Sequence, residues 1–291
     1  MPSSDAPALV VTGATSGIGH AIAREFLARG WRVFGSARRE EDARRLVSEL
    51  GPGFTPLLLD VTDEASVAEA AAIVGRALGT RRLAGIVANA GIGIPAPLEH
   101  QEVDDWRRQI EVNLVGTMIT ARAFLPLLGT DPAREGAPGR LVTMSSLGGR
   151  FGQPFVTAYI ASKHGIEGFS EALRREVSPF RIPVIVMAPS AVATPVWEKV
   201  AAQNLHRFDA TRYGGAFRWA LGTIVDSAPT HGLAPEAVAR ATFAAMTARR
   251  PRSRYAPSRR PLLENVLLPL LPKRLVDAVF RSRLSSHMGE R

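Results

Sequence analysis

Short apolar runs separated by longer stretches of helical periodicity fill the first 190 residues. Ala8–Thr12, Arg32–Ser36, Thr55–Asp60, Leu83–Ala88, Gly139–Met144 and Pro183–Met187 predict six strands. Between them Ile18–Arg29, Glu40–Leu50, Glu64–Leu78, Val103–Leu128 and Tyr159–Phe180 predict helices, the first two ended by glycine. The apolar runs lack period-2 alternation, as strands covered on both faces do. Strands and helices in this order make βαβ units, and right-handed crossovers wind them into a doubly wound parallel sheet. Beyond residue 190 the rhythm changes. Residues 195–232 mix Trp197, Phe208, Tyr213, Phe217 and Trp219 with polar positions. Pro235–Arg249 predicts a helix, Ser253–Ala256 a seventh strand, and 261–284 an amphipathic segment of paired leucines. The expected architecture is one α/β domain with a core over 8–258, a variable loop over about 190–232 and a helical extension over 259–291.

With 46% hydrophobic residues over 291 positions, the chain can build a full core. Its 26 glycines and 21 prolines are ordinary, which excludes a mainly disordered, collagenous or coiled-coil protein. It has no cysteine, so disulfide scaffolds, thiolate metal sites and cysteine nucleophiles are excluded. The six histidines show no metal-ligand spacing with carboxylates, and no metal is expected. The net charge of +9 is concentrated late, in Arg249, Arg250, Arg252, Arg254, Arg259 and Arg260, without any nucleic-acid-binding motif. No nucleic-acid partner is expected. No apolar stretch reaches about 18 residues, and the N-terminus lacks a basic region followed by an apolar run, so a cytoplasmic location is expected.

Thr12-Gly13-Ala14-Thr15-Ser16-Gly17-Ile18-Gly19 lies between the first strand and first helix. Glycine lets backbone approach a pyrophosphate, and a helix N-terminus favours its charge. A purely structural turn is the other reading, and the strand–turn–helix setting favours dinucleotide binding. The second strand ends Ser36-Ala37-Arg38-Arg39, with no Asp or Glu from Arg32 to Arg39. An acidic residue there suits a ribose 2′-hydroxyl and an arginine suits a 2′-phosphate. Arg38 offers a planar fork to phosphate, so NADP(H) is favoured and NAD(H) is the alternative. Tyr159 and Lys163 stand at i and i+4 on one helix face. A cation beside a phenol favours phenolate and tunes it for proton exchange with an alcohol or carbonyl. Ser145-Ser146 ends the fifth strand, where doubly wound sheets bind ligands.

Together these motifs resemble the short-chain dehydrogenase/reductase family over about residues 8–195. The resemblance identifies Gly13, Thr15, Ser16, Gly17, Ile18 and Gly19 with the cofactor turn, and Asp60-Val61 with the adenine-contacting pair. Asn89-Ala90-Gly91 is similar to the segment after the fourth strand, and Asn113 to the asparagine that holds a proton-relay water. Ser146, 13 residues before Tyr159, has the family spacing of the catalytic serine. Pro189, Val192 and Thr194 match the segment that holds the nicotinamide carboxamide. The implied machinery is Ser146 and Tyr159 on the substrate oxygen, Lys163 on the nicotinamide ribose and Asn113 linking the lysine to water.

Two departures stand out: Ser190 replaces the family glycine after Pro189, and Ser16 sits where many NADP-preferring members carry a basic residue. That leaves Arg38 and Arg39 as the phosphate clamp. Leu147, Phe151, Phe155 and Trp197 are candidates for the substrate pocket, and their apolar character suggests a hydrophobic ketone or secondary alcohol, as steroid- and retinoid-like members of the family use. Carrier-linked 3-oxo substrates and a non-catalytic dinucleotide-binding scaffold are the rival readings. The helices from Val103 and Tyr159 suit the homodimer common in the family. The C-terminal segment reads either as an interfacial helix contacting a membrane or as a packing helix, and Pro269 and Pro272 favour packing.

Overall fold

A computed structural model describes residues 3, 5–203, 205–225 and 228–288; positions 204, 226 and 227 of the predicted variable loop lie outside the described residues. The first half runs β1 (Ala8–Val11), α1 (Gly17–Ala28), β2 (Arg32–Ala37), α2 (Glu40–Leu50), β3 (Phe54–Leu58), α3 (Glu64–Leu78) and β4 (Gly85–Ala88). There follow α4 (Val103–Ile110), α5 (Gly116–Leu125), β5 (Arg140–Met144), α6 (Thr157–Glu176) and β6 (Val184–Met187). The remainder is α7 (Val196–Ala201), α8 (Gly214–Val225), α9 (Ala228–His231), α10 (Pro235–Thr247), β7 (Arg254–Tyr255), α11 (Leu268–Leu270) and α12 (Lys273–Ser285).

The seven strands form one parallel sheet in the order β3-β2-β1-β4-β5-β6-β7. Successive strand residues point to opposite faces, so each strand feeds two cores. Leu9, Val11, Val142 and Ile185 pack with Ile22, Phe26 and Val238 on one side. Val10, Leu141 and Val184 pack with Val74, Phe124 and Leu173 on the other. β1, β4 and β6 are buried throughout, which explains their unbroken apolar runs. β3, at the edge, alternates buried Phe54 and Leu57 with exposed Thr55 and Leu58, and it tolerates Pro56 there. The order reverses between β1 and β4, and ligands of such sheets bind outside the carboxyl ends at that point.

The predicted helix from Val103 is real but not regular. α4 and α5 are joined by a π-turn over Glu111–Val115, and a second π-turn, over Pro126–Thr130, ends the helix. The continuous helix Val103–Thr130 is long and apolar enough to cross a bilayer. It nevertheless buries Ala121 and Phe124 in the core and carries buried Asn113, so it is a core helix. α6 starts at Thr157, two residues before the prediction, because Phe155 takes a positive φ of 66° and turns the chain into it.

A third cluster, of Ala96, Phe155, Phe208, Phe217 and Leu221, caps the carboxyl edge of the sheet. The Phe217 ring stands 5.4 Å from Phe155 and 5.0 Å from Phe208, both edge-on. Two polar ties join this cap to the loop after β4: Tyr213 donates to Glu99 at 2.9 Å and Gln203 to the Gly93 carbonyl at 3.1 Å. In the extension the chain breaks at Leu271, which is extended before Pro272, as the prolines predict. Packing, the favoured reading, holds for one stripe only. Phe280 meets the Phe151 ring at 6.2 Å and Leu284 packs on the cap. Leu262, Leu270, Leu275 and Val279 are exposed.

Candidate active site

The turn from β1 to α1 is held by hydroxyls at strand ends. Ser36, at the end of β2, accepts from the Gly13 amide at 2.8 Å. Thr12 Oγ1 accepts from the amides of Asn89 and Ala90 at 2.9 and 3.0 Å, and Asn89 Nδ2 donates to the Thr12 carbonyl at 2.9 Å. Gly13 has a φ of +69°, which side chains avoid. A Cβ on Gly19 would fall 2.2 Å from the Gly13 carbonyl oxygen, so only glycine allows the turn to close on α1. Ser16, at the N-cap, is extended and makes no side-chain capping bond, and the first turn of α1 has no acidic residue. Ile18 packs against the core. Amides left uncapped at the amino end of a 12-residue helix whose first turn holds no acidic residue fit a pyrophosphate. Thr12 and Ser36 were not singled out from the sequence; a lone hydroxyl ending an apolar strand is the signal that would have found them.

Arg38 is exposed just beyond β2 and lies near Asp60. Burial raises the Asp60 pKa, but hydrogen bonds from the Thr62 amide and hydroxyl and the charges of Arg38 and Arg108 outweigh it and hold the carboxyl below its usual value. Val61 is buried against α5, 2.8 Å from where a Cβ on Gly116 would stand. Arg39 is exposed and pairs with Asp42 at 2.9 Å. Arg45, which sequence reading passed over, reaches back from α2 and donates to the Thr15 carbonyl at 3.0 Å. Three guanidinium groups thus stand on the β2–α2 side of the turn.

At the ends of β4 and β5 the predicted residues converge. Ser146 hydrogen-bonds the Tyr159 phenol and also accepts from the Gly148 amide at 3.1 Å. Ser145 bonds the Lys163 carbonyl instead, at 3.4 Å. Lys163 Nζ donates to the Met144 carbonyl at 2.8 Å and lies 5.6 Å from the centre of the Tyr159 ring. A Cβ on Gly91 would stand 3.7 Å from Lys163 Nζ and 3.2 Å from Asn113 Oδ1. Asn113 is fully buried in the π-turn. Its side chain accepts from the Ile92 amide at 2.8 Å and donates to the Ile92 carbonyl at 2.9 Å and to Ser162 Oγ at 3.1 Å. Ser162 in turn donates to the Tyr159 carbonyl at 2.6 Å.

The electrostatics differ from the sequence expectation. Burial raises the Tyr159 pKa above its ordinary value of 10, and the Ser146 hydrogen bond only partly offsets this. Burial also lowers Lys163 from 10.5 to about 8. The phenol is thus shifted in the direction opposite to that expected from the Tyr159–Lys163 pairing alone, because its own burial outweighs the Ser146 hydrogen bond.

The nicotinamide-side and pocket residues fall in different surroundings. The Pro189 carbonyl accepts from the Leu147 amide at 2.9 Å, Val192 bridges to Leu233, and Thr194 packs on Gly17. Leu147 and Phe151 are half-buried. Phe155 is buried inside the cap, and Trp197 donates from its indole to the Val192 carbonyl at 2.7 Å.

Comparison with known proteins agrees with this arrangement. A family model described as short chain dehydrogenase matches residues 7–205. An NADPH-dependent 3-dehydrocapnine reductase of Ornithobacterium rhinotracheale is 34% identical over 93% of this chain and 95% of its own. Retinol dehydrogenase 5 of Homo sapiens is 33% identical over 96% of this chain and 89% of its own. The crystal structure of a short-chain dehydrogenase from Streptomyces avermitilis superposes with a TM-score of 0.73 at 28% identity, covering 97% of this chain and 96% of that one. With the family's glycine turn opening a doubly wound sheet and homology over nearly its whole length, this chain belongs to the short-chain dehydrogenases/reductases and is a nicotinamide-dinucleotide-dependent oxidoreductase.

Proposed function

We propose that the protein interconverts a hydrophobic ketone and its secondary alcohol with NADP(H), using Tyr159 as the proton donor and acceptor. The observation that carries this is the convergence of Ser146, Tyr159, Lys163 and Asn113 at the carboxyl ends of β4 and β5. NADPH supplies the hydride when bound. Gly13, Gly17 and the uncapped amides of α1 suit its pyrophosphate, Asp60-Val61 its adenine, and Pro189, Val192 and Thr194 its carboxamide side. The exposed Arg38 and the nearby Arg39 and Arg45 suit a 2′-phosphate, and the Ornithobacterium relative is named NADPH-dependent.

Ser146 and Tyr159 hold the substrate oxygen as negative charge grows on it, and the phenol hands over its proton. A phenol above its ordinary pKa is protonated at neutral pH, as reduction requires. Lys163, still cationic at pH 7, stabilises the phenolate left behind. Asn113 fixes α6 relative to the loop after β4 and keeps tyrosine and lysine in register. Half-buried Leu147 and Phe151 line the substrate side, and relatives named for 3-dehydrocapnine and retinol support a hydrophobic substrate. The outer faces of α4 and α5 expose Trp106 and Met118, which suits the proposed homodimer.

The test is Tyr159→Phe, assayed with NADPH and a panel of hydrophobic ketones. Turnover should fall by about 10² to 10⁴-fold, the range of a lost general acid, while the NADPH dissociation constant stays within twofold of wild type. Near-normal turnover refutes the assignment.

A further inference from the structure

The extension after β7 presents a surface that the fold does not use. Leu262 (66% exposed), Leu270 (75%), Leu275 (53%) and Val279 (55%) are its most exposed apolar side chains, and Val266 and Leu267 join them. Half of the large hydrophobic side chains exposed among the described residues fall in the 18 positions 262–279. A concentration of this kind marks an interaction surface.

The charge around it has one sign. Residues 259–288 hold six Lys and Arg against two Asp and Glu. Arg259, Arg260, Lys273, Arg274, Arg281 and Arg283 are all exposed, and none forms an ion pair among the described residues. In α12, Leu275, Val279 and Arg283 share one face, while Arg274 and Arg281 lie together on one side of the helix, about 100–120° round from Leu275. Half-buried Phe280 and Leu284, farther round the helix, pack on the Phe151 ring and on the cap.

We propose that this face docks on an anionic lipid bilayer. The leucines and Val279 enter the acyl boundary and the six basic groups engage lipid phosphates, the pairing of apolar area and positive charge that interfacial helices use. A second copy of this chain would bring the same six cations against themselves, so charge favours the bilayer. The tail is fastened to the cap: the Trp219 ring stacks on His287 at 4.9 Å, and a Cβ on Gly215 would lie 2.1 Å from the His287 carbonyl oxygen. Since Phe280 also touches Phe151, docking would hold the loop after β5 within about 10 Å, one helix width, of the lipid surface.

The full chain should sediment with vesicles of phosphatidylcholine and phosphatidylglycerol and stay in solution with phosphatidylcholine alone, and raised salt should weaken the binding. Arg274→Glu with Arg281→Glu, and separately Leu270→Glu with Leu275→Glu, should each weaken vesicle binding about tenfold or more with unchanged circular dichroism and thermal midpoint. The two-vesicle comparison uses the native chain, so it decides even where a variant misfolds. Equal sedimentation with both vesicles, or with neither, overturns the proposal. So does a dimer in sedimentation velocity that Leu270→Glu disperses while the native chain ignores anionic vesicles, since the face is then a contact between copies.

Discussion

Lys163 carries its charge in a place that disfavours one, and that has a measurable thermodynamic consequence. It is 5% exposed, its ammonium bonds the Met144 carbonyl at 2.8 Å, and burial lowers its pKa from 10.5 to about 8. At pH 7 both folded and unfolded chains bind the proton, and the folded state bears the full cost, about 3 kcal/mol at 1.36 kcal/mol per pH unit. Between the two values the unfolded chain holds more protons than the folded one, so stability rises with pH. Integration over pH 7 to 9 gives a gain of about 1 kcal/mol, with the remainder recovered by about pH 10.5. Tyr159, whose pKa is raised above 10, stays protonated in both states across pH 7 to 9 and does not confound this window. Lys163→Met keeps the length of the side chain and removes the charge, so it should abolish this contribution. Urea unfolding of wild type and Lys163→Met at pH 7, 8 and 9 measures it: the stability advantage of the methionine variant should shrink by about 1 kcal/mol over the range. Turnover of that variant should be nearly lost throughout. Parallel stability curves for the two proteins would refute the reasoning, because the ammonium would then be solvated in the folded state.

Arg38→Ala should weaken NADPH binding about tenfold, or about 1.4 kcal/mol, and leave NADH binding unchanged, as read by fluorescence titration. Equal loss for both would place Arg38 away from the 2′-phosphate. Gly19→Ala should lower the melting temperature and weaken both cofactors together, since its Cβ meets the Gly13 carbonyl rather than a flexible side chain. Phe217→Ala, in the cap, removes a fully buried ring at a cost of about 3 to 5 kcal/mol. Its expected signature is a raised KM for the ketone with NADPH affinity retained; a matching loss of cofactor affinity would show that the cap is not a separate unit.

The sheet was legible because its inner strands are buried on both faces: Leu9-Val10-Val11 and Val184-Ile185-Val186 leave no polar position to confuse the period. Of the candidate site, Tyr159 and Lys163 were legible through helical spacing and Ser145-Ser146 through its strand end, while the choice of Ser146 rested on the family spacing to Tyr159. What stayed hidden depends on contacts distant in sequence. The π-turn at Asn113 is held by Ile92 and Ser162, 21 residues before it and 49 after, and local propensity carries no trace of it. Arg45 reaches Thr15 across 30 residues. The place of Phe155 in the core of the cap, against Phe217, is likewise set by residues more than 50 positions away. The direction of the Tyr159 shift was not legible in the sequence, because a pairwise charge argument omits burial, which is a property of the folded molecule.

The π-turn at Glu111–Val115 sets a phase. A π-turn accommodates one residue more than an α-helix would, so the stretches before and after it are rotated by about 100° relative to a regular helix. Upstream, Gln109 supports the Ile94 loop; downstream, Thr120 and Phe124 turn to the core. Deleting one residue within 111–115 would restore a regular helix without disturbing its length or composition much. It would also force a choice between a correctly packed core and a correctly aimed Asn113. Point substitutions should therefore be tolerated far better across this helix than any single-residue insertion or deletion.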